Sequence, residues 1–223
     1  MLIAEDLLLL AYDDEKGKPV GVISHLEHSL AGALLVELAL LDRVDVTEEG
    51  DERGPGRIVV KDSSATGLGP LDEALERLAE LEGKKPKDVL DPLTKGGLTT
   101  KLLDGLAERG ILRRENGKVL GLFPTTRWPA EDSRHEEDLK AGLRRVLVDG
   151  ERPDERMAAL IALLATTVDV KHVVGKEHAL QAARRAKEIA EGNWAGDALR
   201  RAAEEIIMAA VFVPTVIMAV TTS

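Results

Sequence analysis

The chain contains no cysteine. That excludes a disulfide, a zinc–thiolate centre and a thiol nucleophile, and it agrees with a reducing compartment. Aromatic residues make up only 2% of its 223 residues, so aliphatic side chains must fill the core. No Gly-x-Ser-x-Gly elbow occurs. The glycine turn Thr66-Gly-Leu-Gly-Pro70 lacks the third glycine of a dinucleotide loop and the Gly-Lys-Ser/Thr of a phosphate loop. It reads as a tight turn into a helix. No pair of acids stands out from the forty present, so the chain carries no positive signal for catalysis and implies no cofactor. A basic excess is also missing: 40 acidic against 30 basic residues give a formal charge of −10. A nucleic-acid partner would need a local basic patch to overcome that field. The N-terminus places Glu5 and Asp6 before Leu7–Leu10, unlike the basic start of a signal peptide. The apolar run Ile206–Val220 is short and interrupted by Pro214, and reads as a buried terminal helix rather than a tail anchor.

Apolar residues are plentiful, at 44% of the chain, enough for one large domain spanning 1–223. Ala, Leu, Gly, Val and Arg dominate, which suggests a bacterial source. The stretch Leu30–Arg43 is apolar on every side of a helix, with Glu37 in its middle. Such a helix is buried in a core or in a membrane. From His28 to Leu41 it would span about 21 Å, short of the ~30 Å of a bilayer core. The class is therefore a soluble, mainly α domain with this helix at its centre.

Around it, Leu2–Ala11 reads as a short buried helix and Leu26–Leu41 as the central one. Arg43–Thr47 and Arg57–Lys61 read as strands, joined by the acidic loop Glu48–Gly56, which reads as solvated and mobile. Pro70–Glu82 places Leu71, Leu75, Leu78 and Leu81 on one side, with Pro70 in the first turn. Thr94–Arg109 reads as one amphipathic helix closed by Gly110. Ile111–Phe123 reads as a hairpin turning at Asn116-Gly117 in type I′ geometry. A polar connection, Pro129–Glu136, leads to helices at about 134–148, 153–166, 176–191 and 195–212.

His25-Leu-Glu-His28 puts two imidazoles at i, i+3 beside Glu27, but no third ligand follows at useful spacing, so polar residues at a helix entry explain it better than a metal. The segment Thr99–Phe123 is the most functional-looking, and it carries three readings. Helix, glycine and hairpin match the order of a winged-helix DNA-binding domain, with Arg113, Arg114 and Lys118 placed for phosphates. Alternatively, the apolar strand Val119–Phe123 beside a basic turn suits an anionic bilayer, where each basic residue contributes about 1 kcal/mol. Otherwise the apolar face covers the core or a second subunit.

Several stretches together resemble the Golgi phosphoprotein 3 family. They are Leu7-Leu-Leu-Leu10 with Asp14 and Gly17, Gly32-Ala-Leu-Leu-Val-Glu-Leu-Ala-Leu40 with Arg43, Ala65-Thr-Gly67, Leu71-Asp-Glu-Ala-Leu75, Leu106-Ala-Glu-Arg-Gly-Ile-Leu112 and Arg156–Leu163. The resemblance implies one mainly α domain, a buried helical core wrapped by amphipathic helices, with a projecting hairpin at Glu115–Thr126. Eukaryotic members are non-enzymatic peripheral membrane proteins that bind phosphatidylinositol 4-phosphate and the cytosolic tails of Golgi glycosyltransferases. Their headgroup pocket uses one Trp and three Arg. Here those positions align with Val22, Ala31, Gly96 and Thr99. Lys95 and Lys101 flank the missing pair, but Lys lacks the bidentate fork of Arg, and each lost charge-assisted contact is worth about 1.5–3 kcal/mol.

The expectation is a cytoplasmic module, peripheral on the inner face of the membrane, whose partners are anionic lipid (phosphoinositide included) and a protein or second copy met through the hairpin. Its weak headgroup site would be Lys95, Thr99, Lys101 and Arg127. Its hairpin contact would be Lys118, Val119, Leu120, Leu122 and Phe123. A winged-helix-like DNA-binding regulator is the alternative.

Overall fold

The computed structural model describes residues 1–20, 25–119, 123–191 and 205–210, with backbone alone at Val119 and Phe123. Helix α1 (Ile3–Ala11) is buried at all nine positions, as a run without polar alternation requires. Helix α2 (Leu26–Leu40) starts at His25, whose backbone is left-handed at φ 56°, and is buried from Ser29 to Ala39. A helix apolar all round needs neighbours on every side. Helices α3 (Gly69–Glu80), α4 (Pro86–Thr94), α5 (Leu98–Glu108) and α7 (Glu155–Thr167) supply them together with α1. One continuous core results, mainly leucine, alanine and valine.

Strands β1 (Val44–Val46) and β2 (Ile58–Val60) pair antiparallel, with Asp45 opposite Val59. The acidic loop between them is tied at its base: Thr47 Oγ1 donates to Gly54 O (2.5 Å) and accepts from Arg57 N (2.9 Å). In α3, Leu71, Ala74, Leu75 and Leu78 face the core at helical spacing. The glycine turn before it is held by Asp72, whose Oδ1 accepts from both the backbone and the hydroxyl of Thr66 at 2.6 Å.

Two boundaries differ from the sequence expectation. The helix expected over Thr94–Arg109 starts later, as α5 at Leu98, and Thr94 instead ends α4, because Gly96 and Gly97 both take left-handed backbone (φ 86° and 76°) that separates the two helices. Pro92 inside α4 hides its apolar set Val89, Leu90 and Leu93 from a periodicity reading. The hairpin is also displaced. Strand β3 (Glu115–Val119) pairs with β4 (Phe123–Arg127), placing Asn116 opposite Thr126 and Gly117 opposite Thr125. Asn116-Gly117 is thus strand and not a turn; the reversal lies between Val119 and Phe123. Ile111 and Leu112 cannot serve as the first strand because they finish the α5 turn, with Ile111 N bonded to Leu106 O (3.0 Å). The β-branched pair Thr125-Thr126 supplies the partner strand instead.

Helices α6 (Arg134–Leu147), α7, α8 (Lys171–Val174) and α9 (Ala179–Glu191) follow, then a helical segment at 205–210. Ile206, Ile207 and Ala210 are buried. Gly32 of α2 lets that segment approach: a Cβ on it would lie 2.5 Å from Ala210 Cβ. The remainder of the helix expected at 195–212, and of the run Ile206–Val220, lies outside the described residues. Among the described residues, no helix is long and apolar enough to cross a membrane.

Candidate functional site

Three of the headgroup candidates, Lys95, Thr99 and Lys101, sit where α4 meets α5. Lys101 Nζ lies 2.6 and 2.9 Å from the two oxygens of Glu73 on α3. Glu73 also takes Arg77 Nη2 at 2.5 Å. Arg77 Nη1 caps the end of α4, donating to the carbonyls of Pro92 (3.0 Å), Leu93 (3.3 Å) and Lys95 (2.8 Å). The hydrogen bond from Lys101, helped by its charge and that of Arg77, holds the Glu73 carboxyl below its ordinary range. Sequence reading missed Arg77, because nothing in a helical i, i+4 Glu–Arg pair points to carbonyls 15 and more residues away.

Lys95 and Lys101 line one crevice with Arg77 and Glu73, but its free volume is about 10 Å³, room for roughly one water. Thr99 turns its hydroxyl to Glu27. Ala31 is fully buried in the core. Arg127 is on β4, 4.0 Å from Glu115. The structure therefore brings Lys95 and Lys101 together, adds Arg77, and turns Thr99 and Arg127 to other partners. Lys101 and Arg77 share the Glu73 carboxylate, and the crevice they line with Lys95 is too small for a sugar phosphate.

The hairpin candidates are placed differently. β3 and β4 make their extensive contacts with each other and with no other element among the described residues. Lys118 is exposed and has no ion pair among the described residues. Leu120 and Leu122 lie outside those residues, as do the side chains of Val119 and Phe123. At the root, Arg113 spans Glu115 (2.8 Å) and Glu131 (2.8 Å), and Arg114 reaches Asp104 (3.0 Å). Both arginines expected to touch DNA phosphates are thus held by carboxylates, which weakens the winged-helix reading.

A larger cleft of about 760 Å³ opens beside the N-terminus. Met1, Leu41 and Leu68 line it and are exposed, with Glu5, Glu108 and Arg109 on its walls, and the Glu73–Lys101 pair borders it as well. The sequence singles out Lys101 and Glu37 separately but nothing in it joins them in one cleft, since the lining residues are scattered along the chain. His28 Nε2 lies 2.7 Å from Asp91 Oδ1, and no cluster of three potential metal ligands exists among the described residues.

A buried helix that is apolar all round, amphipathic helices around it and a hairpin standing clear of them give the architecture against which known families compare. The Golgi phosphoprotein 3 (GPP34) family profile matches residues 3–206. The chain belongs to this family. It is also similar to the vacuolar protein sorting-associated protein 74 of Eremothecium gossypii, at 29% identity over 167 residues. That match covers 66% of this chain and 49% of the relative, so the chain spans about half the length of the curated relative it matches. As a Golgi phosphoprotein 3-like module, this chain has a buried central helix, α2, and a β3–β4 hairpin.

Proposed function

We propose that this protein is a non-enzymatic, cytoplasmic module that docks peripherally on the inner face of an anionic membrane through its β3–β4 hairpin. The observation that carries the reading is the isolation of that hairpin. Two strands alone are marginally stable in water, and β3 and β4 have each other as their extensive contact. Such a hairpin gains from a surface that covers it. Its sequence between the strands, Val119-Leu-Gly-Leu-Phe123, is apolar, and Lys118 and Arg127 stand beside it. At an anionic surface each of those cations contributes about 1 kcal/mol. Lys95, Lys101 and Arg77 form a weaker second contact, because Glu73 offsets part of their charge. A stereospecific phosphatidylinositol 4-phosphate site is not part of this reading.

Flotation with phosphatidylcholine vesicles, with and without phosphatidylglycerol, tests it. The protein floats with the anionic vesicles at low salt, and the double variant Leu122→Asp/Phe123→Asp does not. Equal flotation of both forms sinks the hairpin reading. Absence of flotation at any salt leaves a protein partner or a second copy as the surface that the hairpin meets. Added phosphatidylinositol 4-phosphate, at matched charge, gives no extra binding.

A further inference from the structure

Among the described residues five large apolar side chains are exposed, and three of them, Met1, Leu41 and Leu68, border the cleft beside the N-terminus. Apolar side chains left in water are normally scattered singly; three gathered around one hollow mark a surface that gains from being covered. Leu2, Leu98 and Leu102, all buried, add to the apolar lining. A hollow of about 760 Å³ lies in the size range of small-molecule sites, which are mostly apolar and largely preformed.

One wall is a face of α5. Leu98, Lys101, Leu102, Gly105, Glu108 and Arg109 line the cleft at helical spacing, with Gly105 in the middle. A glycine inside a helix destabilises it relative to alanine. Gly32 of α2 has a packing reason, the close approach of Ala210. Gly105 has none among the described residues, since a Cβ on it would meet nothing within 4 Å. The turn Gly67-Leu68-Gly69 on another wall is equally open, and a Cβ on either of its glycines would also meet nothing within 4 Å. The hollow is therefore wider than the packing of the chain requires.

The charges on the walls select the occupant. Five acids line the cleft, Glu5, Glu37, Glu73, Asp104 and Glu108, against the cationic side chains of Lys101 and Arg109. Both of those cations are engaged, Lys101 by Glu73 (2.6 Å) and Arg109 by Glu5 (2.6 Å). Glu37 and Asp104 are met by Arg156 and Arg114, which do not line the cleft. Glu108 is exposed and has no ion pair among the described residues. An anionic ligand thus finds no free cationic side chain here, whereas a cationic one finds a free carboxylate beside an apolar lining.

We propose that this cleft is a binding site for a small aliphatic amine, with its hydrocarbon body against Leu41, Leu68 and Leu102 over Gly105 and its ammonium on Glu108. No residue of the hairpin lines the cleft, so the site goes beyond the docking reading and does not depend on it.

Octylamine, 1-octanol and octanoate share one chain and differ in charge, and amide-shift titration of the full chain with each at neutral pH tests the site. Octylamine, protonated there as a lysine side chain is, binds with a Kd of about 1 mM or below, and its shifts centre on Gly67, Gly69 and Gly105. Octanol binds about two- to fivefold more weakly, the worth of one exposed ion pair, and octanoate more weakly still. Glu108→Gln lowers octylamine binding to the octanol level and leaves octanol binding unchanged. Gly105→Leu puts a side chain into the hollow, so binding of octylamine and octanol falls about tenfold or more, while the unfolding temperature does not fall, because leucine is the better helix former. Leu68→Lys, at an exposed position, weakens octylamine and favours octanoate, and it reads the site independently if Gly105→Leu folds poorly. Absence of saturable shifts overturns the proposal. So do shifts centred elsewhere, octanoate binding as well as octylamine, or octylamine binding untouched by Gly105→Leu and Leu68→Lys.

Discussion

Arg156 of α7 donates to Glu37, the acid in the middle of apolar helix α2. Its second nitrogen reaches Asp6 of α1 (3.0 Å) and the Met1 carbonyl (2.7 Å). Glu37 also accepts the Ile3 backbone N–H at 2.6 Å. One guanidinium therefore joins three helices, and an acid that the surrounding apolar sequence would exclude is accommodated. A buried carboxylate needs such partners, since its desolvation otherwise costs several kcal/mol.

Removing one partner leaves the other uncompensated. Arg156→Met should cost about 2–3 kcal/mol, below the usual range for a fully buried pair because the Arg156 side chain is 37% exposed. Glu37→Leu combined with Arg156→Met should recover part of that loss, because the buried charge goes with its partner. Urea unfolding of the two single variants and the double variant gives the coupling. Strict additivity would show that the two residues act independently.

The approach of the 205–210 segment to α2 gives a second coupled pair. A methyl on Gly32 would sit 2.5 Å from Ala210 Cβ, so Gly32→Ala forces the two helices apart. The expected cost is about 1–3 kcal/mol, despite the better helix propensity of alanine. Ala210→Gly in the same chain should restore most of it. Thermal unfolding of the four forms decides this. A stabilising Gly32→Ala would mean that the segment does not rest on α2 in solution.

These two sites show what could be read from the chain beforehand. The stretch around Leu30–Leu40 announces a buried helix, because no surface helix lacks a polar face, and α3 follows from its leucine spacing. The partners of Glu37 were invisible, since Arg156 lies 119 residues away and nothing local marks it. Helix α4 was hidden by Pro92, which reads as a breaker but sits inside a helix. Asn116-Gly117 misled for the opposite reason. Its turn preference is strong locally, but Ile111 and Leu112 are already committed to the end of α5, so the strand had to begin later. At the candidate site, the lysines were legible as charges. That Glu73 and Arg77 share the crevice with them depends on how α3 packs beside α5.

Glu73 yields a prediction of gain. It holds Lys101 and Arg77, both of which would otherwise face an anionic surface. Glu73→Gln removes one negative charge from the crevice, worth about 1 kcal/mol near a charged bilayer and thus roughly a fivefold gain in vesicle partitioning. The gain should shrink with added salt. Co-sedimentation with phosphatidylglycerol vesicles over a salt series measures it. Unchanged or weaker partitioning would remove α4–α5 from the membrane-facing surface and leave the hairpin alone there.

Glu136 makes the stability of the whole fold depend on pH, with a definite sign. Its folded carboxyl titrates near 7, above the ordinary 4.5, mainly because burial disfavours the charged form. The folded protein therefore binds this proton more tightly than the unfolded chain does. The contribution is complete below about 4.5, declines as pH rises from 4.5 to 7, and is fully lost above that. Its size is at most about 3.5 kcal/mol, from roughly 1.4 kcal/mol per pH unit. Exposed acids such as Asp132, held down to about 2 by Arg134, slope the other way but over a lower pH range. The clean quantity is thus the stability of Glu136→Gln minus that of the unmodified protein. It should grow from pH 5 to pH 7 and then level off, because glutamine has no proton to lose. Urea unfolding at pH 5, 6, 7 and 8 follows it, and a difference that stays constant across the series would mean that Glu136 ionises in the fold as freely as it does in the unfolded chain.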